Sequence, residues 1–510
     1  MASSARLPRV FPTAVHMLAE AASLRPDDEA VVCGAERLTY RQYIRCAAGF
    51  AAELAGLGAS GQRVAMVLGN SLDICVAYFA VHAIGAQIVP LNPLYTAREL
   101  TQILHDADPV AVLYDDGVAP VVEPVAVALN IKHRIKIGPS SRRLIAWANQ
   151  AGLESRLPLP DADALGTLQY TGGTTGRAKG VNLTNRSIAY NIAQREALVP
   201  ARIDAERMLC VMPLFHVYAS HVCLHTMAYA RGTLIILPRY HPEDTLRAIA
   251  VERITIFAGS PTIFTSLLAH EKFATSDLSS IVYSYSGSAA LPDDVLRRWE
   301  KSVGTPIIEG YGQSEAGPVL TYNPLNGVRK VGSVGLTLPD TAVEIVDLEA
   351  GDKILPVGEK GEIRARGPQI MQGYRNLPEE TAKTLRDGWL YTGDIGEYDA
   401  DGYLYIRDRK KEMVIVSGYN VFPREVEEVL YAHPAVREAA VIGVADSYRG
   451  EIVKAYVALR PGAAASIDDL LAHCRKNLAK YKVPARIEII ADLPKTAVGK
   501  IDKKPLKVQP

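Results

Sequence analysis

The chain has 510 residues, 48% of them hydrophobic, and its Lys+Arg and Asp+Glu totals balance at 56 each. At roughly 150 residues per domain that is room for about three domains with sizeable cores. The even balance excludes a broad nucleic-acid footprint, which needs clustered excess positive charge, and basic residues gather only locally, at 407–411 and 500–507.

The start of the chain has no continuous apolar stretch, because Arg6, Pro8, Arg9, Pro12 and His16 interrupt it, so a signal peptide is not expected. The apolar segment 72–90 follows the cap residues Asn70-Ser71 and carries Asp73 and His82, which marks a buried helix rather than a transmembrane segment. The cysteines at 33, 46, 75, 210, 223 and 474 form no C-x-x-C pair and read as free, buried thiols of a cytoplasmic protein.

In chain order, a strand is expected over 63–68, then the helix from Ser71, then a strand over 110–114. Further on come a strand at 233–237, a helix at 241–251, a strand at 254–257, a helix at 261–270, a strand at 281–285, a helix at 293–301 and a strand at 306–308. This alternation predicts an α/β fold with parallel sheets covered by helices. After about residue 328 the pattern changes to short strands between Gly and Pro turns, like a small β-barrel or meander. The polar run 407–412 then separates two apolar strands and marks a boundary. Beyond it lies a small α+β unit, whose first helix is signalled by Pro423, Glu425, Glu427 and Glu428 with Val426, Val429 and Leu430 at helical spacing. The division is 1–407, with the barrel-like part at about 328–407, a hinge at 408–411, and a C-terminal lid at 412–510.

Five clusters carry chemistry. The stretch Tyr170-Thr171-Gly172-Gly173-Thr174-Thr175-Gly176-Arg177-Ala178-Lys179-Gly180 has only glycines, small residues, hydroxyls and basic groups besides its opening tyrosine. Glycines let the backbone approach an anion, and consecutive N–H groups form an anion-binding concavity. The order Lys179-Gly180-Val181 excludes a Walker A loop, which needs Gly-Lys followed by Ser or Thr. The second cluster is Glu309-Gly310-Tyr311-Gly312-Gln313-Ser314-Glu315. Its ring could lie against backbone, and Glu315 could hold Mg²⁺ beside phosphate; the bland reading is a Gly-rich turn. The third is Tyr391-Thr392-Gly393-Asp394, either an Asx-turn or a ribose-binding acid. The fourth, 407–411 with Ser417-Gly418-Tyr419, could equally be a solvated linker. The fifth, 494–501, holds Lys500, and a lysine so near a C-terminus is ordinarily just exposed.

In this order and spacing the chain resembles the adenylate-forming superfamily, and is most similar to fatty acyl-CoA ligases over essentially its whole length. The resemblance implies a large N-terminal domain binding ATP and a carboxylic acid, and a small lid that rotates between two half-reactions: acyl-AMP formation with release of pyrophosphate, then acyl transfer to coenzyme A. It assigns Thr171, Gly173, Thr174, Thr175, Gly176 and Lys179 to the β- and γ-phosphates. Ser286, Gly287 and Ser288 belong to a strand end meeting adenine and the acyl group. Glu309, Gly310, Tyr311, Gly312 and Gln313 form the adenine segment, with Tyr311 stacking on the base. Ser314 contacts the α-phosphate, Glu315 holds Mg²⁺, and Asp394 and Arg409 bind the ribose. Ser314 stands where the family usually has threonine, and keeps the hydroxyl. Lys411 is the hinge position, and Ser417, Gly418 and Tyr419 form the lid turn of the pantetheine tunnel. Lys500 is the catalytic lysine of the first step: a cation bridging two anions acts mainly on the transition state. His216 gates the acyl site, with a satisfied core histidine as its bland alternative. Tyr218, Ser220, Gly259, Gly287 and Gly312 line the acyl pocket.

The acid is expected to be a medium- or long-chain fatty acid. An aryl or alicyclic acid is the nearest rival, since Phe215-His216-Val217-Tyr218-Ala219 suits aryl ligases too. Transfer to a carrier-protein thiol, or a binding protein without chemistry, are the others; the intact Lys179, Glu315, Asp394, Arg409 and Lys500 argue against the last. The oligomeric state stays open, a homodimer included.

Overall fold

A computed structural model describes residues 5–171, 178–417, 419–446, 448–496 and 499–508. Two large sheets dominate the N-terminal domain. In the nine-stranded sheet, Ile307–Gly312, Tyr283–Ser286, Ile256–Gly259, Arg207–Cys210, Thr233–Ile236 and Glu29–Cys33 pair in parallel, in that order. Antiparallel strands close its two edges. In the seven-stranded sheet, Leu165–Thr171, Gln87–Pro90, Arg63–Val67, Ala111–Asp115 and His133–Ile137 are parallel, and Lys179–Thr184 folds back on Leu165–Thr171 as a hairpin. Parallel strands are covered on both faces, so they read as short continuous apolar runs; Arg63–Val67 is buried along nearly all its length.

The helices start where side chains replace the missing backbone partners. Ser71 accepts from the Ile74 N–H to open Leu72–Ala83. Thr39 and Thr96 form capping boxes with Gln42 and Glu99. Leu72–Ala83 is buried on every side, as its near-unbroken apolar sequence requires. Among the described residues no helix is long and apolar enough to cross a membrane. All six cysteines are free, and all but Cys33 are buried.

Where a small barrel was expected, the strands Ala342–Val346, Gly361–Arg366, Leu385–Arg386, Trp389–Tyr398 and Leu404–Arg409 form a curled antiparallel sheet with an open hydrogen-bonded path. A lone bridge from Gly335 to Leu404 ties it toward the nine-stranded sheet. The glycine cluster at 310–312 also differs from a turn: it lies within the strand Ile307–Gly312, whose pairing shifts register between Tyr311 and Gly312. Chain crowding explains the glycines there. A Cβ on Gly310 would lie 2.3 Å from the Tyr322 ring, and one on Gly312 would lie 1.8 Å from the Pro318 carbonyl oxygen.

The C-terminal domain is a second five-stranded sheet. Val436–Asp446 and Gly450–Leu459 form its central hairpin, and Pro423–Tyr431 and Ile467–Asn477 supply its helices. Its core is separate, built from residues such as Val414, Val426, Leu430, Val441, Val457 and Leu470.

Candidate active site

Register builds the centre of the site. At the carboxyl ends of three adjacent parallel strands, Gly259 lies opposite Ser286, and Ser286 lies opposite Glu309. Open α/β sheets carry ligands at that edge. The hydroxyls of Ser286 and Ser288 are buried there and have no hydrogen-bond partner among the described residues. Ser288 has a left-handed φ of 73°, which for a non-glycine residue requires support from its surroundings. Gly287 makes room for a ring: a Cβ there would lie 2.9 Å from Tyr218. Glu309 is buried beside them. Its Oε1 accepts from the Leu291 N–H at 2.9 Å, and burial pushes its carboxyl up to about 7. It braces the segment that follows Ser288.

The adenine segment meets the curled sheet. Tyr311 donates its hydroxyl to Asp394 Oδ2 at 2.7 Å. Asp394 and Arg409 are cross-strand neighbours, and Arg409 Nε lies 3.3 Å from Asp394 Oδ1. Asp394 is buried, which raises its pKa, while Arg409 and the Tyr311 hydroxyl oppose the rise. The Arg409 side chain stays half exposed, so the pair presents a fixed carboxylate beside an accessible guanidinium. The Asx-turn reading does not hold, because Asp394 lies within the strand Trp389–Tyr398.

The phosphate side rests on a hairpin. Thr171 and Lys179 are paired at its base, across the mouth of the glycine-rich loop. Gly173, Thr174, Thr175 and Gly176 lie outside the described residues, as does Gly418. Lys179 Nζ pairs with Glu380 Oε2 at 2.6 Å and sits 5.1 Å from the centre of the Tyr374 ring. Tyr374 in turn donates its hydroxyl to Glu315 Oε1 at 2.8 Å. Glu315, Tyr374, Lys179 and Glu380 thus form one connected run across the site. The sequence reading missed Tyr374 and Glu380, which lie some two hundred residues from Lys179. Their only local signal was the start of the helix Pro378–Thr384, with its acids at 379 and 380. Ser314 is buried at the start of the short turn Ser314–Ala316, directly after Gln313. Among the described residues no group of three or more His, Cys, Asp or Glu could cage a metal. A single carboxylate with one oxygen tied down fits Mg²⁺ held jointly with phosphate oxygens.

The acid side lies on an uncommon element. Tyr218–His225 is π-helical, a geometry that is rare and frequent at functional sites. His216 stands just before it and accepts from the Tyr218 N–H through Nδ1 at 3.3 Å. Burial, then the Lys500 charge, lowers His216 to about 3, so it is neutral. Ser220 is buried and donates to the His216 carbonyl at 3.3 Å. Gly259 packs under Ile263 and Phe264.

Lys500 is brought in by the lid. Gly499 has a φ of 76°, and its carbonyl accepts from the Thr262 hydroxyl at 2.8 Å, at the start of the helix Pro261–Leu268. A Cβ on Gly499 would lie 2.9 Å from that hydroxyl oxygen, so only glycine approaches so closely. Arg460 pairs with Asp294 at 2.9 Å as a second contact between lid and N-terminal domain. Burial, then repulsion from Arg409, lowers Lys500 to about 8, with Asp394 opposing. Behind it, Lys503 pairs with Glu427 at 2.7 Å and Lys495 with Glu438 at 2.8 Å, fixing the loop to the lid core. Lys500 is therefore partly buried at the domain junction and not a freely solvated tail residue.

Between the domains, Asp408 accepts from the Arg424 N–H at 2.9 Å, at the start of the first lid helix. Lys410 pairs with Glu362 at 2.8 Å, and Lys411 is exposed. Ser417 and Tyr419 are exposed on the lid, where Tyr419 stacks on Tyr481 at 4.8 Å. Among the described residues neither hydrogen-bonds to the Lys500, Asp394 and Arg409 cluster.

Two family models match: the AMP-binding enzyme model over residues 18–375 and the AMP-binding enzyme C-terminal domain model over residues 425–500. A long-chain-fatty-acid–CoA ligase from Bacillus subtilis (strain 168) is 40% identical, with 98% of this chain and 95% of that protein covered. Among solved structures, ATP-bound MatB from Rhodopseudomonas palustris superposes with a TM-score of 0.90 at 32% identity, covering 97% of this chain and 98% of that one. The anthranilate CoA ligase AuaEII, in complex with anthranoyl-AMP, gives 0.91 at 29% identity, covering 98% and 97%. Together the two models span most of the chain, and the chain belongs to the AMP-binding enzyme family.

Proposed function

We infer that this chain is an AMP-forming acid–CoA ligase acting on a medium- or long-chain fatty acid. In the first half-reaction a carboxylate oxygen attacks the α-phosphorus of ATP, the bond to pyrophosphate breaks, and acyl-AMP forms. In the second, the CoA thiol attacks the acyl carbon, its proton is lost, and AMP leaves.

The observation that carries this reading is Lys500, held by the Gly499–Thr262 hydrogen bond and felt electrostatically by His216, Asp394 and Arg409. A compact cation at the meeting point of carboxylate and phosphate offsets their mutual repulsion as charge builds up on the α-phosphate. Asp394 accepts from the ribose hydroxyls, and Arg409 adds a donor beside it. Tyr311 supplies its ring to adenine, held in orientation by its bond to Asp394. The hydroxyls of Ser286, Ser288 and Ser314 are donors for nucleotide and acyl oxygens. Lys179 exchanges Glu380 for the outer phosphates, which are more highly charged. Glu315 holds Mg²⁺, which neutralises phosphate charge when bound.

Neutral His216 with Tyr218, Ser220, Gly259, Gly287 and Gly312 shapes the acyl site. The lid stands in the orientation for the first half-reaction. Rotation about 408–411 withdraws Lys500 and brings Ser417 and Tyr419 toward the acyl-adenylate. With ATP and CoA as its substrates, the protein works in the cytoplasm.

The test is acid-dependent ATP–pyrophosphate exchange, followed by CoA-dependent AMP release, across fatty and benzoate-like acids. Exchange with fatty acids and thioester formation support the reading. Exchange with no acid, or exchange without CoA-dependent AMP release, removes it.

A further inference from the structure

Arg195 is a buried cation without an acid. It lies on the helix Asn185–Leu198 and is 1% exposed. Its Nη2 donates to the His221 carbonyl at 3.0 Å and to the Thr226 hydroxyl at 2.7 Å. Its Nε and Nη1 are buried and meet no hydrogen-bond geometry with any described group. No carboxylate among the described residues forms an ion pair with it. The adjacent buried Glu196 feels the Arg195 charge but forms no ion pair with it, since neighbours i and i+1 on a helix do not face each other; one of its oxygens accepts from the Ala201 N–H at 2.8 Å. An arginine does not escape burial by losing its proton, and an unpaired buried charge is costly.

The surroundings hold further unpartnered polar atoms among the described residues. Arg195 holds the π-helical segment that begins with Tyr218, the ring packed on Gly287. The Tyr218 hydroxyl is buried and without a partner, as are His221 Nε2 and both ring nitrogens of His225. His221 and His225 stack at 5.3 Å, and His82 lies 5.7 Å from His225. The Tyr322 hydroxyl lies beside Arg195, whose charge and hydrogen bond oppose the rise that burial imposes on it. Buried polar groups are normally satisfied. Here one guanidinium, a phenol and imidazoles gather behind the Tyr218 ring, with polar atoms unpartnered and no carboxylate ion-paired to the guanidinium among the described residues.

We propose that this cluster receives a second carboxylate at the far end of the acid, with Arg195 as its counter-ion, so that the substrate is an ω-carboxylated fatty acid. The proposal rests on the acid–CoA ligase reading and names its substrate class. A terminal methyl group would leave Nε and Nη1 unsatisfied in the bound state. A carboxylate accepts two parallel N–H bonds from a guanidinium, and sites built to hydrogen-bond a substrate group discriminate strongly against analogues that lack it.

The experiment compares matched pairs of acids of equal chain length, the α,ω-diacid and its monoacid, with the ω-hydroxy acid as a third member. Acyl-CoA formation is read as kcat/KM for each. The wild-type protein is expected to favour the diacid by at least about tenfold at one chain length. Arg195→Met is expected to bring the diacid-to-monoacid ratio down toward one, and Arg195→Lys to restore part of it. A monoacid preference at every length, or a ratio unmoved by Arg195→Met, overturns the proposal and makes Arg195 a structural brace. An ω-hydroxy acid that matches the diacid also overturns it, since charge would then not be what is read. Should Arg195→Met fail to fold, the wild-type ratios decide alone. If no acid of any pair yields a thioester, the ligase reading itself fails, which is a different result from a monoacid preference.

Discussion

The hydroxyl of Thr262 donates to the carbonyl of Gly499 at 2.8 Å, and this bond holds the C-terminal segment that carries Lys500 against the other domain. The two residues are 237 positions apart. A hydrogen bond of this kind contributes about 1 kcal/mol, a factor of about fivefold in the population of this lid orientation. Thr262→Val is therefore expected to slow acyl-AMP formation by about threefold to tenfold and to leave thioester formation from supplied acyl-AMP unchanged or faster. Single-turnover measurement of the two half-reactions checks this, and equal slowing of both would remove Thr262 from lid docking.

Lys500→Ala is expected to lower the rate of acyl-AMP formation by at least about a hundredfold, in the range seen when one transition-state donor is removed. Thioester formation from presented acyl-AMP is expected to persist, because that step uses the other lid orientation. Loss of both in parallel would contradict a role confined to the first step.

The charge on Lys500 gives a pH dependence with a definite sign. Its pKa is lowered from 10.5 to about 8, so the free enzyme loses the required proton as pH rises through about 8. The kcat/KM for adenylation, which reports free-enzyme groups, is expected to fall on the alkaline side of that value. Lys500→Arg should remove this limb at whatever activity remains, since arginine does not titrate there. A flat profile to pH 10 in the wild-type protein would show that the lysine is not so lowered.

Tyr374 links Glu315 and Lys179, the residues proposed for Mg²⁺ and the outer phosphates. Tyr374→Phe frees Glu315 Oε1 and is expected to raise the Mg²⁺ concentration for half-maximal pyrophosphate exchange several-fold, with little effect on the KM for the acid. Glu380→Gln removes the partner of Lys179 and is expected to lower the KM for ATP, because the lysine no longer has to be won from a carboxylate. Titrations of Mg²⁺ and ATP separate the two effects. Asp394→Ala, by contrast, is expected to raise the KM for ATP, and an unchanged value would take away its ribose role.

Gly312→Ala tests the packing of the adenine segment. The added methyl would sit 1.8 Å from the Pro318 carbonyl oxygen, against backbone that cannot swing aside as a side chain does. Loss of about 2 kcal/mol or more, the range of overpacking and strain, is expected in chemical denaturation. A variant as stable as the parent would show that the backbone is not so crowded at Gly312.

Residue types and their order determined much of this on their own. The strand–helix alternation revealed parallel sheets, because buried parallel strands are short apolar runs, and helices need capping residues such as Ser71 at their start. The glycine-rich stretch after Tyr170 carries the expectation of a phosphate-binding loop, and Lys179-Gly180-Val181 excluded the Walker A class, since the position of one charge relative to one glycine is a local fact. Only the tertiary structure decided what faces what. Glu309 became a brace for Leu291, Tyr374 and Glu380 joined Glu315 and Lys179, and Lys500 left the exposed tail for the junction beside Asp394. Arg195 gave no sign of itself, since a single arginine in a helix is as a rule a surface residue, and only packing on all sides removes its water and leaves a charge in need of a partner. Local chemistry is written in neighbours along the chain, while burial and pairing depend on segments hundreds of residues apart.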